Sequence, residues 1–146
     1  ILILIINNLS ISIPGSIIIM KIVNAKDITG TKFDVNWGNG TSRRMVVEAD
    51  GMGYSVHYTV TYRGTSSTLQ YKNHLESCYV LSGTGTVEAD GVIHKLQPGD
   101  MYVLDKHDKH IISADKEQDM VTLCIFNPPC KGTENHNLKD GKASGY

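Results

Sequence analysis

The amino-acid sequence predicts an all-β fold, either a small sandwich or a barrel. Helical periodicity is scarce, whereas many short strand-like runs follow one another at about 8–12-residue spacing. Residues that favour tight turns separate these runs. The clearest turns are Asp50-Gly51, Gly83-Thr84-Gly85, Asp90-Gly91 and Pro98-Gly99-Asp100.

Length and composition indicate one soluble domain of ordinary character. The chain has 146 residues, 40% of them hydrophobic and 20% charged, which suffices to bury a core. A formal net charge of −1 gives no electrostatic reason to expect binding to nucleic acid or an anionic membrane. The three cysteines form no CxxC pair, which argues against a disulfide scaffold and predicts a reducing cytoplasm.

The first nineteen residues differ from the rest, since they are rich in Ile and carry no charge. They lack the basic start of a signal peptide, and polar or bend-forming residues interrupt any membrane span. We expect residues 1–19 to be an upstream extension outside the fold, and residues 20–146 to form a single domain beginning at Met20. The alternative is a genuine extension that adds a strand or contacts a partner.

The strongest strand prediction is Tyr54–Tyr62, where apolar and polar side chains alternate. Asp90-Gly91 between two apolar runs predicts a tight hairpin. The other predicted strands are Arg44–Val47, Leu69–Tyr71, Ser77–Leu81, Thr86–Glu88, Val92–Leu96, Met101–Leu104, His110–Ser113 and Val121–Phe126.

The stretch from Gly64 to Gly83 resembles the first motif of the cupins, a class of small β-barrels with a metal site in the barrel mouth. Glu76 and both flanking glycines fit the motif spacing. Gln70 and Lys72 stand where that motif has its two histidines. The resemblance therefore implies a cupin barrel (jelly-roll-like) with an altered ligand set.

The stretch from Pro98 to His110 resembles the second cupin motif, with Asp105 at the usual proline position. Glu76 and His110 then remain as ligands, and a divalent cation needs a third. Tyr102 lies an even eight residues before His110, so both side chains can face inward if their strands pair across the turn at residues 106–109. Two oxygens and one nitrogen suit Fe²⁺ or Mn²⁺.

Each of these residues also has an ordinary interpretation. Taken alone, Glu76 is typical of a surface carboxylate, Tyr102 is typical of a core tyrosine, and His110 is typical of a solvated turn residue. Only the joint fit of the three residues to the cupin motifs favours a site. His57 shares the polar face of its strand and can enter the pocket or face solvent. His74 is a possible further ligand.

Nearly all of the chain from Met20 to about His136 resembles the ectoine synthase family of cupin enzymes. The segments that carry the resemblance are Gly40–Arg44, Asp50–Gly53, Tyr71–Glu76, Met101–His110 and Phe126–Pro129. The resemblance implies a hydro-lyase that cyclises N-γ-acetyl-L-2,4-diaminobutyrate to the compatible solute ectoine with loss of water. It also implies iron held by Glu76, Tyr102 and His110, and a homodimer.

The same resemblance implies the remaining site residues. Glu134 and His136 are expected to anchor the substrate or move protons, and Arg44 to bind its carboxylate. The other implied substrate contacts are Trp37, Thr59, Tyr71 and Phe126.

Two further functions are compatible with such a barrel. One is a non-catalytic cupin module that binds ectoine-like zwitterions, although retention of three metal ligands argues against it. The other is an iron-dependent oxygenase, against which the replacement of two histidines argues. The aromatic face near Tyr58–Tyr62 is a candidate for the dimer contact.

Overall fold

The structure is a computed structural model that describes residues 20–104 and 106–138. Residues 1–19, which we expect to be an extension outside the fold, lie outside the described residues. Asp105 and residues 139–146 of the expected domain also lie outside them.

The larger of two antiparallel sheets has six strands in the order β1-β2-β3-β10-β5-β8. Its strands alternate between buried and more exposed positions, as expected of a sheet with one face in the interior. Its members are β1 (Asp34–Asn36), β2 (Gly40–Val46), β3 (Ser55–Thr61), β5 (Leu75–Ser82), β8 (Met101–Leu104) and β10 (Met120–Asn127).

The smaller sheet has four strands in the order β4-β9-β6-β7. They are β4 (Ser66–Leu69), β6 (Gly85–Ala89), β7 (Val92–Leu96) and β9 (His110–Ala114). Val80 and Met120 of the larger sheet are fully buried in one cluster with Val87 and Ile112 of the smaller sheet. This cluster joins the two sheets into a barrel-like sandwich, so the predicted fold class is confirmed.

The strand Tyr54–Tyr62 is confirmed as β3, with its polar face turned inward. Ser55, His57 and Thr61 are buried, whereas Tyr54 and Tyr62 at the strand ends are exposed. An inward polar face is unusual for a small sheet, because each buried polar group needs a partner. Its presence marks the interior beside β3 as a binding region rather than ordinary core.

The predicted hairpin at Asp90-Gly91 is confirmed. Both residues have positive φ, at 50° and 75°, as a two-residue type I′ turn requires. The turn sets the register of β6 against β7, in which Ala89 faces Val92.

Two strand predictions are wrong. Leu69–Tyr71 is replaced by β4, which ends at Leu69, because the backbone leaves the ladder with β9 before Tyr71. The expected pairing of the Tyr102 strand with the His110 strand does not occur: β8 pairs with β5, and β9 pairs with β4 and β6. β8 and β9 belong to different sheets, and Tyr102 and His110 both line the interior between them.

Helical structure in the described residues is limited to α1 (Ala25–Ile28) and one turn of 3₁₀-helix at Glu48–Asp50. Asn24 caps α1 by accepting a hydrogen bond from the Lys26 amide. Neither helix of residues 20–104 and 106–138 has the length or apolar character to span a bilayer.

Gly83→Ala is expected to destabilise the fold much more than Gly91→Ala, although the two glycines have nearly the same φ, 76° and 75°. An added Cβ at Gly83 would lie 2.4 Å from the Asp119 carbonyl oxygen, whereas at Gly91 nothing lies within 4 Å. Both variants share a backbone penalty of ~1 kcal/mol, and overpacking adds ~2 kcal/mol at Gly83. Urea unfolding of both variants measures the difference, and equal free energies of unfolding would contradict the packing described here.

Candidate active site

The site is built on a row of residues that face one another across the larger sheet. Arg44 of β2 pairs with His57 of β3, His57 with Cys124 of β10, and Cys124 with Cys78 of β5. Tyr102 of β8 completes the row opposite Cys78. Because side chains on one face recur every second residue, this register turns a cation, an imidazole, two thiols and a phenol toward the same interior.

The next row along the strands brings Phe126 of β10 opposite Glu76 of β5. Both are buried, with Phe126 at 2% and Glu76 at 5% exposure. His110, the first residue of β9, approaches from the smaller sheet, and its Nε2 lies 3.9 Å from Glu76 Oε2. A carboxylate and an imidazole from the two cupin-like motifs therefore meet where the sheets come together.

These rows enclose a small cavity between the sheets. Its interior offers about 30 Å³ to the centre of a water-sized molecule. That space holds an ion or a water molecule, so an amino-acid derivative enters only if the lining side chains move. The lining residues are Trp37, Ser42, Arg44, His57, Thr59, Thr61, Leu69, Tyr71, Glu76, Tyr102, His110, Ile112, Thr122, Cys124, Phe126 and His136.

The carboxyl group of Glu76 lies buried in the cavity, where a negative charge is costly. Burial raises its pKa well above the usual value, and the neighbouring Cys124 adds to the effect. Its Oε2 is buried without a hydrogen-bond partner. An unpaired buried carboxyl oxygen is costly and is a natural position for a cation ligand.

His110 is oriented toward Glu76 by its own backbone surroundings. Its Nδ1 donates a hydrogen bond to the Asp108 carbonyl oxygen at 3.1 Å. The proton on Nδ1 leaves Nε2 with a free lone pair, the usual arrangement of a metal-binding histidine. Burial lowers the pKa of the ring, which favours this neutral form.

Tyr102 packs against both hydrophobic clusters of the interior. Burial raises the pKa of its phenol well above 10, and the neighbouring Cys78 and Glu76 act in the same direction. Without a cation, this hydroxyl is therefore neutral. A bound cation reverses that balance, because it stabilises the phenolate.

The cysteines do not form disulfides in the described residues. The Cys78 thiol donates to the Cys124 sulfur at 3.0 Å, and this hydrogen bond lowers the pKa of Cys124 to about 7. Cys78 and Cys124 are both buried, and Cys124 also lines the cavity. Cys130 follows β10 and is fully buried.

Arg44 is buried and makes two hydrogen bonds that hold the cavity together. Its Nη1 donates to His57 Nδ1 at 2.6 Å, and its Nη2 donates to the Glu134 carbonyl oxygen at 2.9 Å. The second bond fastens residues 131–138, which follow β10 without regular structure, to the larger sheet. The pKa of His57 is lowered well below 6.5, first by burial and then by the Arg44 charge.

Residues 131–138 contribute His136 to the cavity wall. Its Nε2 lies 3.1 Å from the Tyr71 hydroxyl, and its ring meets Trp37 edge-on at 6.1 Å between centroids. The Trp37 Nε1 is buried without a hydrogen-bond partner. An indole and an imidazole so placed can contact a polar ligand in the cavity.

Glu134 lies in a different position from the one expected for a substrate contact. Its carboxylate oxygens accept hydrogen bonds from the backbone amides of Lys131 and Gly132, at 2.6 and 2.7 Å. These bonds lower its pKa although partial burial opposes them. Glu134 is not among the lining residues, so in this conformation its carboxylate shapes residues 131–138 and does not reach the cavity.

All the other expected site residues meet at the cavity, namely Trp37, Arg44, Thr59, Tyr71, Glu76, Tyr102, His110, Phe126 and His136. The motif comparison missed several lining residues, among them Ser42, Thr61, Thr122 and Cys124. Strand alternation could have found them, since each lies an even number of residues from an expected site residue on its own strand. The alternative of His57 entering the pocket is the one the structure supports.

Two groups of side chains in the described residues bring metal-ligating atoms within 4.8 Å of one another. One is Glu76 with Cys78 and Cys124, which overlaps the expected site. The other is His74 with Cys130 and Glu134. The His74 Nδ1 lies 2.7 Å from the Pro128 carbonyl oxygen, and His74 is not among the cavity-lining residues, so it is not a further ligand of the Glu76 site.

A two-sheet β-barrel that brings ligating side chains into its interior defines the cupin class. The structure superposes on a cupin-2 domain from Rhodospirillum rubrum with a TM-score of 0.56 at 20% identity, over 61% of this chain and 60% of that one. At that identity the likeness shows the fold alone.

The chain belongs to the ectoine synthase family, whose sequence profile matches residues 20–144. It is 49% identical to the L-ectoine synthase of Shouchella clausii, over 84% of this chain and 90% of that protein. It is 45% identical to the L-ectoine synthase of Desulfatibacillum aliphaticivorans, over 84% and 95%. It also resembles the crystal structure of ectoine synthase from P. lautus, with a TM-score of 0.74 and 36% identity over 86% and 88% of the two chains.

The buried His57 is expected to make the fold acid-sensitive. Its folded pKa is lowered, whereas an unfolded histidine titrates near ~6.5. Below that pH the unfolded chain binds a proton that the folded chain does not, so stability falls as pH falls, by at most about 1.4 kcal/mol per pH unit from this group. Urea unfolding of the wild type and His57→Asn between about pH 7 and 5 should give a shallower slope for the variant. His94→Asn, on exposed β7, is the control, and an identical slope for wild type and His57→Asn would contradict this assignment.

Proposed function

We propose that this member of the ectoine synthase family cyclises N-γ-acetyl-L-2,4-diaminobutyrate with one metal ion held by Glu76, Tyr102 and His110. The chain is an enzyme, and membership of the family assigns it ectoine synthesis. The substrate α-amine attacks the acetamide carbonyl of the same molecule, water leaves, and a cyclic amidine forms. The observation that carries the metal proposal is the unpaired Glu76 Oε2 beside the His110 Nε2 in the cavity.

The residues present fit a metal ion. Glu76 offers a buried oxygen without a hydrogen-bond partner, and His110 offers a nitrogen whose lone pair faces it. Tyr102 lines the same cavity and supplies a second oxygen. A cation at this point compensates the desolvation that raises the pKa of Glu76.

We assign Fe²⁺ to this site. Carboxylate, phenolate and imidazole are donors that suit iron better than a purely oxygen-binding ion such as Mg²⁺. Cys78 and Cys124 lie near Glu76 but are not ligands in this proposal, since the Cys78 thiol donates to the Cys124 sulfur. When bound, the metal polarises the amide carbonyl as a Lewis acid, a contribution of several kcal/mol.

The other cavity residues bind and orient the substrate in this proposal. Thr59, whose hydroxyl lies 2.9 Å from that of Ser42, and Tyr71 offer polar contacts, whereas Trp37 and Phe126 supply aromatic walls. Aromatic faces stabilise the cationic ring that forms in the product. The pocket brings the two ends of a flexible molecule together and excludes water that would compete with the amine.

Arg44, Glu134 and His136 complete the proposed machinery. The guanidinium of Arg44 matches the substrate carboxylate, and binding requires an exchange with its bond to the Glu134 carbonyl oxygen. His136 reaches the cavity and is the nearer candidate for moving a proton. The Glu134 carboxylate takes part only if it leaves the backbone amides of Lys131 and Gly132.

The experiment that tests the function uses the full chain loaded with Fe²⁺ and mixed with the acetylated diamino acid. NMR that detects ectoine without oxygen consumption supports the cyclisation. Tight ectoine binding without turnover would indicate a binding module, and oxygen-dependent conversion of another compound would indicate an oxygenase. We place the reaction in the cytoplasm and in osmotic protection, in keeping with three free cysteines and an osmolyte product.

Removal of any one ligand is expected to remove the metal and the activity together. Glu76→Gln, Tyr102→Phe and His110→Asn should each lower iron content and reduce kcat by at least ~100-fold, because the Lewis-acid contribution is lost. Matched controls are Glu88→Gln, Tyr79→Phe and His94→Asn, outside the cavity lining. Iron content and ectoine formation are measured on the same preparations, and undiminished turnover after chelation would refute metal dependence.

We also propose a homodimer that uses the outer face of β5 and β8. Tyr79, Met101 and Val103 are exposed there, and Tyr79 faces Met101 across the two strands. In the described residues β8 ends the larger sheet, so its free edge can pair with another strand. A second copy of the chain covers both the apolar side chains and that edge.

Val103→Lys is expected to convert the dimer to a monomer, because it places a charge in the apolar contact. Ile93→Lys, on exposed β7 at the edge of the other sheet, is the control. Light scattering after size-exclusion chromatography measures the mass. Tyr62→Lys tests the aromatic face near Tyr58–Tyr62, and dissociation by that variant alone would move the contact there.

A further inference from the structure

His57 lies in the cavity but has no part in the proposal above. It is 1% exposed, and its ring lies over Phe126 at 4.6 Å between centroids. It is held between Arg44 on β2 and Cys124 on β10 by the strand register. A histidine so fixed and so buried presents the same edge to anything that enters the cavity.

The hydrogen bond from Arg44 determines the protonation of the ring. A guanidinium can only donate, so His57 Nδ1 must accept the bond of 2.6 Å. A protonated imidazolium would direct an N–H at the arginine and is excluded by that contact. The ring is therefore neutral and carries its proton on Nε2.

The Nε2 proton has no acceptor among residues 20–104 and 106–138. Nε2 is buried, and no hydrogen-bond partner for it is found among the described residues. A buried donor left without a partner destabilises the fold, because its desolvation is not compensated. A bound ligand that supplies the missing acceptor removes this cost. His57 lines the cavity where the substrate binds in our proposal.

We propose that His57 is a catalytic residue whose Nε2–H donates a hydrogen bond to the acetamide oxygen of the substrate. Arg44 is its positioning residue. This inference rests on the proposed function. Negative charge grows on the acetamide oxygen as the amine attacks, so a fixed donor binds it more strongly in the transition state than in the substrate. A neutral ring holds its proton firmly and stabilises that charge without giving the proton away.

Two variants separate the donor from the rest of the side chain. His57→Asn keeps an acceptor near the position of Nδ1 but removes the donor. His57→Gln carries an amide N–H close to the position of Nε2. We expect His57→Asn to lower kcat by ~100-fold with little change in KM, and His57→Gln to recover turnover to within ~10-fold of the wild type.

Kinetic outcomes decide the role. Unchanged kcat in His57→Asn would overturn the proposal, and a rise in KM alone would show that the ring contacts a group that does not react. The wild type is assayed for ectoine and iron in parallel. If the wild type makes no ectoine, the proposed function fails; if it does and His57→Asn equals it, this inference alone fails.

Nitrogen-15 NMR of the imidazole tests the tautomer without any variant. The wild type should show a protonated, pyrrole-type Nε2 and an unprotonated, pyridine-type Nδ1 for His57. Signals of the opposite tautomer, or of an imidazolium at neutral pH, would overturn the proposal. Circular dichroism confirms folding of each variant, and if His57→Asn does not fold, the NMR assignment and the kcat of His57→Gln decide.

Discussion

The register of β10 between β3 and β5 is the constraint on which the site depends. β10 makes the central ladder of the larger sheet and sets Cys124 opposite both His57 and Cys78. A shift of β10 by one residue would turn Cys124 and Phe126 to the outer face and leave His57 and Cys78 without these neighbours. The same register puts Phe126 beside Glu76, so the aromatic wall and the proposed metal ligand are positioned by one strand.

This register concentrates polar groups in an interior that an ordinary sandwich fills with hydrocarbon. Part of the cost is met inside the protein: Arg44 bonds to His57, Ser42 to Thr59, and Cys78 to Cys124. Part is not, since Glu76 Oε2, His57 Nε2 and Trp37 Nε1 are buried without partners in the part of the chain that the structure describes. A carboxyl oxygen suits a cation and two N–H groups suit acceptors, which is compatible with the proposed metal ion and substrate.

Strand alternation predicted the fold class, and motif spacing predicted Glu76, Tyr102 and His110, because both are local properties. The other six expected residues that line the cavity came from the family resemblance. Sequence reasoning failed where two sheets must be placed relative to each other. An inward Tyr102 and His110 could follow from paired strands, yet the two residues line the cavity from different sheets, and no local pattern distinguishes these cases. Glu134 shows the second limit. Its carboxylate accepts hydrogen bonds from the backbone amides of Lys131 and Gly132, and this depends on the loop conformation of residues 131–134.

Arg44 connects the two parts of the molecule that substrate binding has to change. One of its nitrogens fixes the His57 ring on the rigid sheet, and the other holds the Glu134 carbonyl oxygen of residues 131–138. For the proposed substrate, the cavity is too small while both contacts and His136 keep their places. A substrate carboxylate competes with the Glu134 carbonyl oxygen more readily than with His57 Nδ1, because the former bond is longer and its partner belongs to a segment without regular structure. Opening of residues 131–138 can therefore admit the substrate while the His57 ring stays aligned.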